Sequence, residues 1–148
     1  MNISNISLLS LKVYAICVVL LFFKGVSTGI YQGIVRSKAK AYSNPEDAKA
    51  LGGKFIEQEL PEIEKANKAF RNDFENIPVF LALALTYVLL GCWELGALIY
   101  FPIFTFARYL HTYCYIKSIQ PYRSMSYGIG LSISFIVAIH ILYKVIFV

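Results

Sequence analysis

A chain of 148 residues and 16.7 kDa has room for one domain. Hydrophobic residues make up 57% of it and charged residues 16%, against roughly 45–50% and 25% in a soluble globular domain, which excludes a disordered chain, a coiled coil and an ordinary cytosolic domain. The net charge of +5 comes from basic residues dispersed among acids rather than gathered in a stripe, so it points to membrane-side topology and not to nucleic acid.

Residues 1–148 read as a single all-α integral membrane domain built as a four-helix bundle. The first apolar stretch, about residues 8–35, is broken only by Lys12 and Lys24. Its first charge comes late and no small-residue cleavage site follows, so it reads as a span and not as a cleaved signal peptide. Two sequons, Asn2-Ile3-Ser4 and Asn5-Ile6-Ser7, abut this stretch too closely to carry weight. Lys24, deep in the helix, must turn inward to a carboxylate or to backbone carbonyls.

A polar segment follows. Residues 36–73 hold eight Lys/Arg and seven Asp/Glu. Asn44-Pro45-Glu46-Asp47 predicts a helix start with a cap, a proline at the first position and acids in the first turn. Gly52-Gly53 ends that short helix, and Pro61-Glu62 starts the next. The second long helix is expected over about residues 62–93, leaving a cytoplasmic loop of about 36–61. A tight Trp93-Glu94-Leu95-Gly96 turn leads to the third helix, about 97–116, interrupted by Arg108 and His111. Pro121 breaks the chain before the fourth, about 124–148. Each stretch supplies the roughly 20 residues a spanning helix requires.

Basic residues collect on the side of the two longer connections, so the positive-inside rule places both in the cytoplasm and both termini on the opposite side. His140 and Lys144 then lie near the far face, where they read as snorkelling residues. Cys17, Cys92 and Cys114 form no CxxC pair and read as small core residues. The two histidines stand on different helices at opposite ends, which predicts no metal site.

Ionisable groups at membrane depth are the functional candidates. Arg71 and Glu75 share one face of the second helix. Arg108, His111 and Tyr115 form a stripe down the third. Arg123, Ser124 and Tyr127 open the fourth, and Arg36 closes the first. The grouping suits a small zwitterion: arginine forks take carboxylates, Glu75 takes an ammonium, and Tyr and His supply neutral hydrogen bonds. The bland alternative is a local Arg71–Glu75 pair, with the other arginines snorkelling to headgroups.

Arg71-Asn72-Asp73-Phe74-Glu75-Asn76 resembles the RNDxEN signature of the MAPEG family, the membrane-associated proteins in eicosanoid and glutathione metabolism. Val35-Arg36, Asn44-Pro45-Glu46-Asp47-Ala48, Arg108-Tyr109-Leu110-His111-Thr112 with Tyr115, and Pro121-Tyr122-Arg123-Ser124 match in the same order. The resemblance covers roughly residues 14–144 and is strongest to the branch holding the microsomal glutathione transferases and prostaglandin E synthase. It implies a homotrimer with glutathione in a cleft between subunits, contacted by Arg36, Arg71, Asn72, Glu75, His111, Tyr115, Arg123, Ser124 and Tyr127. It also implies Arg123 and Ser124 as the groups that activate the glutathione thiol. Asp47 is a catalytic partner by the resemblance and a capping residue by its position. Tyr115 and Arg123 stand eight residues apart, one fewer than in the vertebrate enzymes.

Three functions follow from the resemblance. The first is a transferase and peroxidase acting on lipophilic electrophiles or lipid hydroperoxides. The second is a prostaglandin E synthase-type isomerase. The third is a non-catalytic lipid-binding scaffold, against which the retained RNDxEN motif, Arg123 and Ser124 argue.

Overall fold

The computed structural model describes residues 6–147; Asn2 and Asn5, the acceptor residues of the two sequons, lie outside the described residues. Four long helices, α1 (Leu8–Ala39), α3 (Pro61–Leu89), α4 (Glu94–Ile116) and α5 (Tyr122–Phe147), are joined by a short helix α2 (Pro45–Ala50) and two two-residue strands. The strands, β1 (Ala41–Tyr42) and β2 (Lys54–Phe55), pair in parallel, Ala41 with Lys54 and Tyr42 with Phe55.

α1 starts where the Ser7 side chain accepts from the Ser10 amide and stops at Lys40, whose left-handed conformation (φ 48°) lets its N–H reach the Arg36 and Ser37 carbonyls. α2 begins at Asn44 with Pro45 in its first turn. Leu51 follows it, and Gly52 at φ +65° turns the chain back. Pro61 sits in the first turn of α3. α3 ends at Leu89 and Gly91, at φ +59°, carries the turn. Trp93 is therefore the cap of α4, and Glu94, Leu95 and Gly96 belong to its first turn. The expected Trp93–Gly96 turn is displaced by one helical turn towards the N-terminus, because the left-handed residue is Gly91.

α4 is the central helix, packed on α1, α3 and α5. Its buried positions include Phe101, Phe104, Arg108, His111 and Cys114, whereas α1 and α5 bury one narrow stripe each. The core is aromatic: Phe80 stacks on Phe104 at 3.6 Å between centroids, and Phe101 meets Phe80, Tyr87 and Tyr14 edge-on. Around it Ile16, Phe22, Phe23, Ile30, Phe106, Phe135, Ile139 and Ile146 are exposed, an apolar exterior that suits lipid better than water. α1 and α5 are long and apolar enough to cross a membrane. α3 and α4 bury polar side chains, among them Asp73, Arg108 and His111.

The alternating chain direction brings the C-terminal parts of α1 and α4 and the N-terminal parts of α3 and α5 to one end, with α2 and the strands over it. At the opposite end Ser7 hydrogen-bonds Glu94. There His140 does not snorkel. It lies half-buried, its Nδ1 3.3 Å from the Tyr87 hydroxyl and its ring 5.6–6.2 Å from Tyr100, Tyr87 and Trp93. Rings of this size exclude water from the imidazole better than headgroups would solvate it. Lys144 stays at the edge of this group, beside Cys92 and Trp93. Cys17 and Cys114 are buried, Cys92 is half-buried and all three are free.

Candidate functional site

Three helices contribute to a buried ion cluster. Lys24 of α1 donates to Asp73 Oδ2 and, at 2.7 Å, to Thr112 Oγ1. Arg108 of α4 donates to Asp73 Oδ1 through Nε (3.0 Å) and Nη2 (2.7 Å), and Nη2 also reaches Asn72 Oδ1. Thr112 Oγ1 completes the carboxylate at 3.0 Å from Oδ2. Lys24 and Arg108 are 2% and 1% exposed, so both are buried cations held by one shared carboxylate. Lys24 thus finds the inward carboxylate that its position demands. Arg108, grouped with the ligand-facing residues on periodicity, is spent on Asp73.

Next to this cluster His111, Tyr115, Arg123, Ser124 and Tyr127 come together where α4 meets α5. His111 is buried; its Nδ1 stands 3.1 Å from the Arg123 carbonyl oxygen. Since a carbonyl only accepts, Nδ1 carries the proton and Nε2 is an acceptor. That Nε2 is buried without a partner among the described residues. Tyr115 and Tyr127 flank the imidazole with centroids at 5.7 and 6.1 Å. The Arg123 guanidinium lies over the Tyr115 ring, 4.7 Å from its centroid. An offset of eight residues from Tyr115 to Arg123, crossing the bend after α4, is enough to place the two in contact.

Gln120 joins this group. Its amide has one orientation that satisfies both ends: the oxygen accepts from Arg123 Nε at 3.1 Å and Nη2 at 2.6 Å, and the nitrogen donates to Ser124 Oγ at 3.2 Å.

The remaining candidates lie apart within one chain. Arg71 and Glu75 form an exposed pair on α3, Nε to Oε1 3.4 Å, with side chains 85% and 58% exposed. Asn72 faces inward to Arg108. Arg36 donates from Nη2 to Glu59 Oε1 at 2.7 Å, and its Nε is buried without a hydrogen-bond partner among the described residues. Burial pulls the Glu59 carboxyl up, but hydrogen bonds from Arg36 and Ser43 and the Arg36 charge outweigh it and hold the group below the usual glutamate range. Arg36 and Asp47 line one depression of about 400 Å³ with Gly33, Lys40 and Tyr42. Asp47 is exposed and takes a 3.0 Å hydrogen bond from Asn44 Nδ2; α2 has no side-chain cap bond to its backbone. Asp47 thus both stands in the first turn of α2 and lines the depression, and its two roles remain side by side.

A sequence profile described as MAPEG family matches residues 14–143. The chain belongs to the MAPEG family. Prostaglandin E synthase of Rattus norvegicus is 35% identical over 136 residues, 91% of this chain and 89% of the relative. The Homo sapiens protein of the same name is 35% identical over 122 residues, 82% and 80% of the two chains. Microsomal glutathione S-transferase 1 of Rattus norvegicus is 35% identical over 109 residues, covering 70% of each.

For this MAPEG chain, sequence reading missed Gln120 and Asp73. Gln120 stands in a loop whose periodicity says nothing about side-chain direction. Asp73 lies inside the signature, between residues of the ligand-facing group, and only the burial stripe Ala66, Ala69, Asp73, Phe80 reveals that it points inward.

Proposed function

We propose that this protein is a glutathione-dependent membrane enzyme that activates the thiol of glutathione as a thiolate for attack on a lipophilic substrate. The observation that carries this reading is the Arg123 guanidinium, held on Tyr115 beside the Ser124 hydroxyl, with no carboxylate paired to it among the described residues. A free thiol has a pKa of about 8.5, and bringing it near 7 takes roughly 2 kcal/mol of preference for the charged form, at about 1.36 kcal/mol per unit. One unneutralised arginine and one hydroxyl donor in a partly dry site supply that.

Arg36, Arg71, Asn72, Glu75, His111, Tyr115, Ser124 and Tyr127 are the proposed contacts to the tripeptide. Arg36 and Arg71 suit its two carboxylates, Glu75 its ammonium, and the bare His111 Nε2 an N–H donor. Arg71 and Glu75 are exposed and pair with each other rather than with the His111–Arg123 group, which supports a homotrimer in which neighbouring copies complete one cleft. Gly25, Gly29 and Gly33 of α1 recur every four residues with open space where each Cβ would stand, a small-residue face suited to close packing with a second copy. In this assembly four helices per subunit cross the bilayer, with the basic connections cytoplasmic and both termini opposite.

The thiolate sulfur attacks an electrophilic carbon and expels its leaving group in transferase chemistry, or attacks a hydroperoxide oxygen, breaking the O–O bond to release the alcohol and leave glutathione sulfenic acid, which a second glutathione converts to the disulfide and water. An apolar groove of about 360 Å³ between α1 and α4, lined by Val13, Ile16, Leu20, Pro102 and Phe106, suits the acyl part of such a substrate. A second reading, an isomerase of prostaglandin E synthase type, uses the same thiolate; the names of the rat and human relatives favour it.

The test is a thiolate difference-absorbance titration of detergent-solubilised protein with glutathione. Wild type should give a saturable band and Arg123→Ala none, with assembly intact by size-exclusion light scattering. An equal band in both would remove Arg123 from the mechanism, and binding without any band would remove thiol activation.

A further inference from the structure

We infer that Gln120 is a positioning residue for thiol activation: its neutral amide fixes Arg123 and Ser124 together without cancelling the arginine's charge. The inference rests on the glutathione reading above and goes beyond it.

The chain contains four arginines. Three are paired with carboxylates: Arg36 with Glu59 at 2.7 Å, Arg71 with Glu75 at 3.4 Å and Arg108 with Asp73 at 2.7 Å. Arg123 alone, among the described residues, is held by an uncharged partner. A guanidinium has five N–H donors in a rigid fork. Gln120 takes the Nε edge, Nε–H and one Nη2–H, and Tyr115 covers one face. Three N–H groups along the Nη edge remain for an anion. A glutamate at position 120 would give the same geometry, but it would neutralise the field that favours a thiolate.

The other end of the same amide sets the direction of the Ser124 hydroxyl. Because Gln120 Nε2–H donates to Ser124 Oγ, the serine oxygen is satisfied as an acceptor and its own proton is free to be donated. With the amide reversed, Ser124 would instead give that proton to Gln120 Oε1 and have none for sulfur. One neutral side chain thereby presents a positive charge and a hydroxyl donor to the same place.

The experiment compares wild type, Gln120→Glu, Gln120→Asn and Gln120→Ala by thiolate absorbance of bound glutathione against pH. Affinity for S-hexylglutathione, which has no thiol to ionise, is measured in parallel. Gln120→Glu keeps the shape and adds a charge, so its thiolate midpoint should rise by about one unit, a tenfold smaller thiolate population at fixed pH, with S-hexylglutathione affinity within about threefold. Gln120→Ala and the shorter Gln120→Asn should lose most of the band at neutral pH. Unshifted midpoints with binding retained would overturn the inference, as would equal losses of affinity and thiolate in all three variants, the signature of a merely structural residue. If wild type binds neither ligand, the glutathione reading itself fails. The clamp is then judged without ligand, from the Arg123 Nε–H resonance in nitrogen-15-arginine protein: slow solvent exchange in wild type that turns fast in Gln120→Ala supports it, and identical exchange refutes it.

Discussion

Asp73 serves two cations at once, and this asymmetry makes the three members of the ion cluster unequal. Removing the carboxylate strands Lys24 and Arg108 in a buried site; removing Lys24 leaves a balanced Arg108–Asp73 pair with two hydrogen bonds. Breaking a buried pair by deleting one partner costs about 3–5 kcal/mol, while apolar replacement of a redundant charge costs far less. Asp73→Ala should therefore lower the thermal midpoint in detergent sharply or prevent folding, and Lys24→Met should shift it by much less. Equal shifts in the two variants would show that the cluster is not organised around Asp73. Lys24's need for a partner was legible in the sequence, since an ammonium in an apolar run has no other stable option. The partner's identity was not, because a signature read as ligand-binding concealed a residue pointing the other way.

The long helices were legible from their apolar runs, and α2 from Asn44-Pro45 and Gly52. β1 and β2 were not, because two residues per strand leave no alternation to read and the pairing depends on the path of the chain. That ladder sets Tyr42 and Lys40 against Gly53, where a Cβ would stand 2.6 Å from the Lys40 carbonyl and 2.3 Å from the Tyr42 ring. It also holds the connection so that Glu59 reaches Arg36. Since the Glu59 carboxyl is held below its ordinary range, its contribution to the connection's stability is complete above that range and is lost as pH falls through the lowered value. Limited proteolysis of residues 41–60 should accelerate on acidification below about pH 4.3, the ordinary glutamate value, and Glu59→Gln should flatten that dependence. A cleavage rate as steep in Glu59→Gln as in wild type would assign the acid sensitivity to another group.

At the scale of the whole molecule, family membership and the helical architecture agree with the sequence. The gathering of the site does not close within one chain. Five of the expected residues meet around His111 and Arg123, and Arg71 with Glu75 faces outward. In the proposed homotrimer this is a property of assembly, which the order of motifs along a chain cannot express. The glycine face of α1 makes the assembly testable: Gly29→Leu should convert trimers to smaller species in cross-linking and light scattering, with helical content by circular dichroism unchanged. A trimer that persists would move the subunit contact to another face.

The ion cluster also has a consequence for biosynthesis. α1 is made before α3 and α4, with Lys24 near its middle, whereas the carboxylate that neutralises it lies 49 residues further along the chain, and Arg108 arrives later still. During translation the first helix therefore holds an unmatched charge until α3 is beside it, and α3 holds an incomplete site until α4 follows. A chain truncated before α3 contains a helix that the bilayer tolerates poorly, and it is the form that membrane quality control should remove. The same three residues that fix the finished core thus neutralise one another only once α1, α3 and α4 have all been made.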